Sequence, residues 1–593
     1  MGHLSYLNRY FWKYRGRFLL GILFVGLANW FRVKQPQVIR DAMDAVVDKL
    51  RFFRENGGIE AHPEALNQIG AEVGQFGLLL ICLALLMGVF MFFMRQTIVV
   101  MSRLIEYDLR KTLYAHYQRL DTAFYKRNST GDLMSRISED VSKVRMYLGP
   151  AVLYGIDLVF LFGLTITSML RVSPTLTLWS LAPLPLLSVS IYVVSNIINR
   201  KSAKIQEQLA ALTSSAQEVY SGIRVVKSYA QEDAMSRWFA DQSEAYRQKS
   251  LELVRVDAFF FPLMMLMIGS SIIITIYVGG LQVVAGNITP GNIAEFVIYI
   301  NMLTWPVTAI GWIASITQQA AASQKRINEF LDAQPNIVNP HPDRDGPLIG
   351  HIVFDNVSFR YPDTGILALD QVSFVLKPGE KMAIVGRTGS GKTTIAELLT
   401  RMYDVSAGRI LIDGIDLREH NTDNLRRRIG YVPQDLFLFS DSVLGNIAFG
   451  KDGLRPEEAR FYAASAAIHD EIEDLKDGYD TIVGERGVTL SGGQKQRISI
   501  ARALAKQPDI VLLDDCLSAV DTRTEGQILG YLNEALADKT AIVITHRIYS
   551  SLQFDKIIVL DKGRIVENGA HDELIARQGY YAELFEKQTV QRT

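Results

Sequence analysis

Long apolar runs without charges dominate the first half of the chain, and short apolar runs alternating with polar segments make up the second half. Four long runs carry no charged residue and a fifth carries only Asp157; the five are residues 76–94, 152–170, 172–199, 258–284 and 296–324. A further run, residues 18–39, is interrupted by Arg32 and Lys34. About 20 apolar residues cross the hydrocarbon core of a bilayer. The pattern predicts six transmembrane helices, because buried helices of a soluble protein do not account for five such runs.

Basic residues are concentrated in the connections on one side of these helices. Arg9, Lys13, Arg15 and Arg17 precede the first span, and the connection between the second and third spans is rich in Lys and Arg, as is that between the fourth and fifth. The positive-inside rule then places both termini, and the C-terminal half, in the cytoplasm. No small-residue cleavage site follows the first span, so we expect an uncleaved multi-pass protein of the inner or plasma membrane.

The two basic connections, residues 95–148 and 199–257, are rich in helix-forming residues, so we expect helices that continue past the membrane. Each contains one short break, at residues 128–132 and 221–222. Each break is either a plain surface turn or a turn that docks on a cytoplasmic partner domain.

Charged residues in or near the spans fall into two groups. We expect Arg40, Asp41 and Asp44 at the level of the lipid headgroups, because charge inside a membrane is expensive. Arg32, Lys34 and Asp157 are candidates for lining a cavity. These residues do not distinguish a drug, a lipid and a peptide as the transported substrate.

A segment with four prolines and several charges, residues 332–348, marks a domain boundary. We therefore divide the chain into a transmembrane domain (1–331), a linker (332–348) and a C-terminal domain (349–593). In the C-terminal domain, short apolar runs alternate with polar helical segments, which predicts an α/β domain with a mixed sheet.

Composition excludes two classes of protein. The chain has 62 Lys and Arg against 63 Asp and Glu, a net charge of −1, so we expect no nucleic-acid partner bound through bulk positive charge. Its two cysteines, Cys82 and Cys516, exclude a disulfide framework.

A glycine-rich segment follows an apolar run and opens a helical pattern, which is the context of a phosphate-binding loop. With the residue after it, the segment comprises Gly386, Arg387, Thr388, Gly389, Ser390, Gly391, Lys392, Thr393 and Thr394. Glycines let the backbone wrap around phosphate oxygens, and amides at the helix start favour negative charge. We expect Lys392 to reach the β- and γ-phosphates of ATP and Thr393 to bind Mg²⁺. Asp514, at the end of another apolar run, is the expected second protein ligand of Mg²⁺.

Further motifs resemble those of the ABC transporter family. Leu490–Gln494 (LSGGQ) resembles the family's signature motif, and the order and spacing of the motifs agree from about residue 350 to 570. The other matching positions are Tyr361 for adenine stacking, Gln434 in the Q-loop, Gly484–Gly487 before the signature, Ser518–Asp521 in the D-loop, and the switch histidine His546. The membrane half is also similar to exporters of this family. The resemblance implies a type IV half-transporter: an all-α six-helix transmembrane domain followed by an α/β P-loop ATPase domain.

The resemblance also implies a dimer in which ATP lies between the phosphate loop of one chain and the signature motif of the other. Ser491 and the amides of Gly492 and Gly493 then contact the partner's nucleotide. The residues further implied in nucleotide binding or catalysis are Gln434, Gln494, Asp521 and His546, with Gln434 also a ligand of Mg²⁺.

One position departs from the family's pattern. Hydrolytic sites of the family carry Glu directly after the Mg²⁺-binding Asp, whereas this chain has Asp515. Its carboxylate is one methylene shorter, and a misplacement of about 1 Å can cost on the order of 100-fold in rate. The run DDCLSAVD resembles the weaker-hydrolysing subunit of heterodimeric exporters, although His546 is retained. We therefore favour a heterodimer with a second half-transporter over a homodimer in which Asp515 acts as base.

The expected function is ATP-driven export of a small amphipathic or lipid-like substrate. An impaired site also suits an ATP-gated channel or regulator, so that alternative stays open. The uncharged runs argue against a soluble ABC-type ATPase of DNA repair or translation.

Overall fold

The structure is a computed structural model that describes residues 2–56, 65–451, 453–484, 487, 490–517, 522–547 and 553–592. The chain divides into two compact units. The helical unit comprises Met1–Tyr117 and Gly131–Asp332, and the α/β unit comprises Gln118–Thr130 and Ala333–Thr593.

Six segments of the chain form helices that are long and apolar enough to cross a membrane, which confirms the predicted six-helix transmembrane domain. They are Arg15–Glu55, Asn67–Arg119, Thr130–Val172, Pro174–Ser221, Glu232–Val284 and Pro290–Leu331. At 1.5 Å per residue, a helix of 53 residues is about 80 Å long and exceeds the roughly 30 Å hydrocarbon core. The helices therefore continue well past the membrane, as the composition of the connections predicts.

The α-helices up to the end of the last of these segments are α1 (Asn8–Lys13), α2 (Arg15–Glu55), α3 (Ala65–Met94), α4 (Val100–Arg119), α5 (Thr122–Arg127), α6 (Thr130–Ser135), α7 (Val141–Met146), α8 (Val152–Val172), α9 (Pro174–Leu181), α10 (Pro183–Ser221), α11 (Ile223–Ser228), α12 (Glu232–Val284) and α13 (Pro290–Leu331). Turns of π-helix join α3 to α4, α6 to α7 and α7 to α8. The two predicted breaks are present, because α5 ends at Arg127 and α10 ends at Ser221.

Two of the three cavity candidates make polar contacts inside the helical unit. Asp157 Oδ1 accepts a hydrogen bond from the buried Asn29 (2.7 Å), and Lys34 donates to Gln37 (2.9 Å). Arg40, expected among the headgroups, lies 3.1 Å from the fully buried carboxylate of Glu295. The contacts of Asp157 and Glu295 join α2 to α8 and α13, whereas the Lys34 contact lies within α2.

The α/β unit continues from α13 through an irregular segment to its first strand. Its strands are β1 (Ile352–Arg360), β2 (Leu367–Leu376), β3 (Lys381–Gly386), β4 (Ala407–Ile412), β5 (Ile415–Asp416), β6 (Ile429–Val432), β7 (Ile510–Asp514), β8 (Thr540–Thr545), β9 (Lys556–Asp561) and β10 (Arg564–Gly569). Its further helices are α14 (Lys392–Leu399), α15 (Thr422–Arg428), α16 (Val443–Ala448), α17 (Pro456–Ser465), α18 (His469–Glu473), α19 (Gly492–Ala505), α20 (Thr522–Ala535), α21 (His571–Ala576) and α22 (Tyr580–Arg592).

Two sheets form the core of this unit. The larger has the order β10-β9-β3-β8-β7-β6, with parallel pairing from β9 to β6, and the smaller is antiparallel with the order β2-β1-β4-β5. Every residue of β7 and β8 is buried, as expected for parallel strands covered on both faces. The carboxyl ends of β3, β7 and β8 therefore meet at one edge, where α/β proteins bind ligands.

Candidate functional site

The phosphate-binding loop connects β3 to α14 and has no room for side chains at two of its glycines. A Cβ on Gly386 would lie 2.2 Å from the carbonyl oxygen of Leu560, and one on Gly391 would lie 2.2 Å from that of Ala368. Gly391 also has a φ of 99°, a conformation that favours glycine. The loop geometry thus depends on the glycines that define its sequence motif.

Lys392 begins α14 and folds back over the loop. Its Nζ donates to the carbonyl oxygens of Gly386 (2.8 Å) and Arg387 (2.9 Å). Burial lowers the pKa of Lys392, while the nearby carboxylates of Asp514 and Asp515 act in the opposite direction. The ammonium group is therefore held where phosphate oxygens would replace the two carbonyl acceptors.

Asp514 ends β7 and faces the same cavity. The residue is buried, and its Oδ2 has no hydrogen-bond partner among the described residues. Burial raises the pKa of Asp514 to about 6, although a hydrogen bond from Thr393 favours the charged form. A buried carboxylate oxygen in need of a partner, beside a threonine hydroxyl, fits a hard divalent cation such as Mg²⁺.

No group of three His, Cys, Asp or Glu side chains suited to a metal occurs in the part of the chain that the structure describes.

A cavity of about 500 Å³ collects most of the predicted nucleotide-binding residues. Its lining includes Tyr361, Thr388, Gly389, Gly391, Lys392, Thr393, Thr394, Gln434, Asp514, Asp515 and His546. Lys562 and Gly563, which the sequence interpretation missed, also line it. They form the turn between β9 and β10, and the amide of Gly563 donates to Ser390 in the phosphate loop (3.0 Å). Both residues have a positive φ (47° and 80°), as a two-residue hairpin turn requires, and the glycine between two apolar runs is the signal of this turn in the sequence.

Asp515 and His546 lie in contact at the edge of the cavity. The His546 Nδ1 is 2.7 Å from Asp515 Oδ1, and the amide of Asp515 donates to the carbonyl of Ile544 (2.8 Å). Asp515 has a φ of 48°, in the left-handed region, where Asp is better tolerated than most residues. The short carboxylate is thus held against the histidine by its backbone and by this contact.

Tyr361 belongs to a hydrogen-bonded group that reaches α5, the short helix directly before the first break. Its hydroxyl donates to Glu397 (2.7 Å) and lies 2.9 Å from the hydroxyl of Thr394. The ammonium of Lys126, on α5, lies 5.1 Å from the ring centres of both Tyr361 and Tyr403, and 3.5 Å from Glu397. The residues 118–130 therefore belong to the same compact unit as the cavity.

Two further contacts hold this helix in the α/β unit. Asp121 caps α5 by accepting from the amide of Phe124 (3.0 Å), and it also accepts from the amide of Asn336 (2.7 Å). Ala123 is buried in the hydrophobic core that includes β1 and β2. These contacts hold the residues directly before the first break in the α/β unit.

We expect Lys126→Gln to weaken ATP binding by about threefold. An exposed cation over an aromatic ring stabilises the position of that ring by about 0.5–1 kcal/mol. The Lys126 ammonium also pairs with Glu397, which accepts the hydrogen bond of the Tyr361 hydroxyl. Equilibrium titration with a fluorescent ATP analogue measures the change. The control is Arg127→Gln, because Arg127 donates within its own turn to Ala123 (3.2 Å). Equal affinities in the two variants would contradict a role for Lys126.

The signature motif lies at the start of α19, and none of its residues lines the cavity. The hydroxyl of Ser491 accepts from the amide of Gln494 (3.2 Å), and the Gln494 side chain accepts from the amide of Ser491 (2.9 Å). Gln494 also donates to Glu471 (3.0 Å). Gly492 is exposed and Gly493 is partly exposed. A single chain therefore leaves the signature motif apart from its own phosphate loop.

Some predicted positions lie outside the described residues. They are Glu485 and Arg486 of the segment before the signature and all of Ser518–Asp521, which includes Asp521.

Six membrane-spanning helices followed by an α/β unit with a phosphate-binding loop define an ATP-driven membrane transporter. The chain matches the ABC transporter transmembrane region over residues 18–307 and the ABC transporter model over residues 369–518. The protein belongs to the ABC transporter family. It is an integral inner-membrane exporter that binds ATP, couples ATP hydrolysis to transport, and acts as a dimer in the lipid bilayer.

The similarity to individual relatives covers most of the chain. It is 37% identical over 488 residues to the "Probable multidrug resistance ABC transporter ATP-binding/permease protein YheI" of Bacillus subtilis, with 82% of this chain and 83% of that protein covered. It is 36% identical over 496 residues to the "ATP-dependent lipid A-core flippase" of Syntrophus aciditrophicus, with 81% and 80% covered. A solved structure of a bacterial Atm1-family ABC exporter with ATP bound superposes with a TM-score of 0.77 at 28% identity, covering 97% of this chain and 98% of that one.

Proposed function

We propose that this protein exports a small amphipathic or lipid-like substrate as one half of a heterodimer. The names of two relatives support the substrate class, since one is a probable multidrug resistance transporter and another is a lipid A-core flippase. Compounds of both kinds partition into a bilayer. The observation that carries the heterodimer is Asp515, which stands where the family's hydrolytic sites carry Glu.

Within this proposal, the chain's own phosphate loop forms a weakened site. Lys392 would hold the β- and γ-phosphates, and Asp515 with His546 would act beside the γ-phosphate. Thr393, Gln434 and Asp514 would hold Mg²⁺. Mg²⁺ supplies positive charge that stabilises the phosphoryl group during hydrolysis. The intact signature motif, led by Ser491, completes the competent site on the partner chain.

The proposal also assigns the orientation and the domain limits. Both termini and the ATPase domain lie in the cytoplasm, as the basic connections favour. The transmembrane domain covers residues 1–331, the linker 332–348 and the ATPase domain 349–593. The last helix of the bundle ends at Leu331 and the first strand begins at Ile352, which supports a linker between them.

Two alternatives differ in what the dimer contains and does. In a homodimer Asp515 serves as the base, and its contact with His546 favours that alternative. An ATP-gated channel or regulator uses ATP binding without net transport.

Transport and partner identity are tested with membranes from the native host. We expect inside-out vesicles to accumulate a fluorescent amphipathic dye, or to flip a fluorescent phospholipid, only with ATP and Mg²⁺. We expect a tagged chain to co-purify with a different half-transporter. Recovery of an untagged copy of the same chain instead would identify a homodimer, and ATP-dependent ion conductance without dye or lipid movement would identify a channel.

A further inference from the structure

Three arginines surround one glutamate in the helical unit, and we call this group the arginine triad. Glu106 on α4 accepts from Arg103 (3.1 Å) and Arg110 (2.8 Å), and the Nε of Arg145 on α7 lies 3.4 Å from the same carboxylate. Three guanidinium groups thus share a single carboxylate, which leaves an excess of two positive charges.

Neighbouring ion pairs of the helical unit are balanced. Asp132 and Asp140 face Arg136 and Arg326, two acids against two bases. Asp108, two residues from Glu106, pairs with Lys13. The excess charge of the arginine triad is therefore a local property and not a general feature of this part of the bundle.

Arg145 is the least satisfied member of the triad. Its side chain is only 15% exposed, and its Nε is buried without a hydrogen-bond partner among the described residues. A buried, charged donor without a partner is costly. Arg103 and Arg110 are at least half exposed, so an anion has access to the group from solvent.

The triad lies just beyond the end of the second membrane span. Arg103 is nine residues past Met94, where the uncharged run ends, or about 13 Å along a continuous helix. The headgroup layer extends about 8 Å beyond the hydrocarbon core, so Arg103 lies about one helical turn from that layer. Its guanidinium donates to Glu106, on the side away from the membrane.

We propose that the arginine triad binds a phosphate group, carried by an anionic lipid headgroup or free in solution. Guanidinium groups match phosphate oxygens in charge and in paired hydrogen-bond geometry. A phosphate accepts from the exposed guanidinium groups of Arg103 and Arg110, and its charge neutralises the excess positive charge beside the buried Arg145. This site is separate from the ATP cavity and does not depend on which substrate is exported.

The experiment places the full-length protein in phosphatidylcholine nanodiscs with and without phosphatidylglycerol, and counts retained lipids by native mass spectrometry. We expect the anionic lipid to bind the wild type and to bind Arg145→Gln and Arg103→Gln about tenfold or more weakly. Arg119→Gln, which removes an exposed charge at the far end of the same helix, is expected to bind like the wild type. Melting temperatures check that each variant is folded. Arg103→Gln keeps the test valid if Arg145→Gln does not fold.

A second arm uses inorganic phosphate on detergent-purified protein. If millimolar phosphate displaces the lipid, and the two triad variants bind phosphate as weakly as they bind the lipid, a soluble phosphate is the ligand. Failure of phosphate to compete assigns the site to the lipid headgroup. The proposal is overturned if neither probe distinguishes the triad variants from Arg119→Gln.

Discussion

Replacement of Lys392 by alanine is expected to weaken ATP binding by about 100-fold. In the structure the Lys392 ammonium is already positioned over the phosphate loop, with its two hydrogen bonds to loop carbonyls. Phosphate oxygens replace neutral carbonyl acceptors with charged ones, and a hydrogen bond to a charged group contributes about 1.5–3 kcal/mol. A 100-fold loss corresponds to about 2.7 kcal/mol, or one to two such bonds. Equilibrium titration of the purified protein with a fluorescent ATP analogue measures it.

The matched control for this substitution lies on the same strand. Lys381 begins β3, at the opposite end from the phosphate loop, and its ammonium donates to Asn533 (3.0 Å). We expect Lys381→Ala to bind ATP like the wild type, and Lys392→Arg to recover part of the affinity because it keeps the charge. Wild-type affinity in a folded Lys392→Ala protein would show that this cavity does not hold the ATP phosphates.

Features set by residues that are close together in the sequence were predictable from it. The six membrane helices follow from uncharged runs, since the bilayer requires that length and composition. The phosphate loop follows from its glycines, because the close approach of Gly386 and Gly391 to other backbone atoms excludes side chains there. The hydrophobic strand before Asp514 likewise places that carboxylate at the ligand-binding edge of the sheet.

Contacts between distant residues were not predictable in this way. Lys126 and Glu397 are 271 residues apart, and nothing in either local sequence indicates that they meet beside Tyr361. The arginine triad also escapes sequence analysis, because the pattern of basic residues gives orientation but not which acid each one faces. Such groups depend on the packing of whole helices and strands, which periodicity does not specify.

The geometry around Asp515 bears directly on the weakened site. Its Oδ1 is occupied by the contact with His546, and its backbone is held by the hydrogen bond to Ile544. A side chain of this length, fixed at its backbone, has no means of extending further into the cavity. A Glu at the same position gains one methylene, and so its carboxylate reaches about one bond length further.

We therefore expect Asp515→Glu to raise the ATPase rate of the reconstituted chain by about 100-fold, since a displacement of about 1 Å has effects of that size. The control is Asp515→Asn, which keeps the side-chain length and tolerates the left-handed backbone at this position. If the native site is catalytically weak, the Asn variant keeps nearly the same low rate as the wild type. Steady-state phosphate release with saturating Mg²⁺ and ATP measures the ATPase rate of the wild type and of both variants. Robust turnover by the wild type, a large loss in Asp515→Asn and little gain in Asp515→Glu would instead make Asp515 a working base and favour the homodimer.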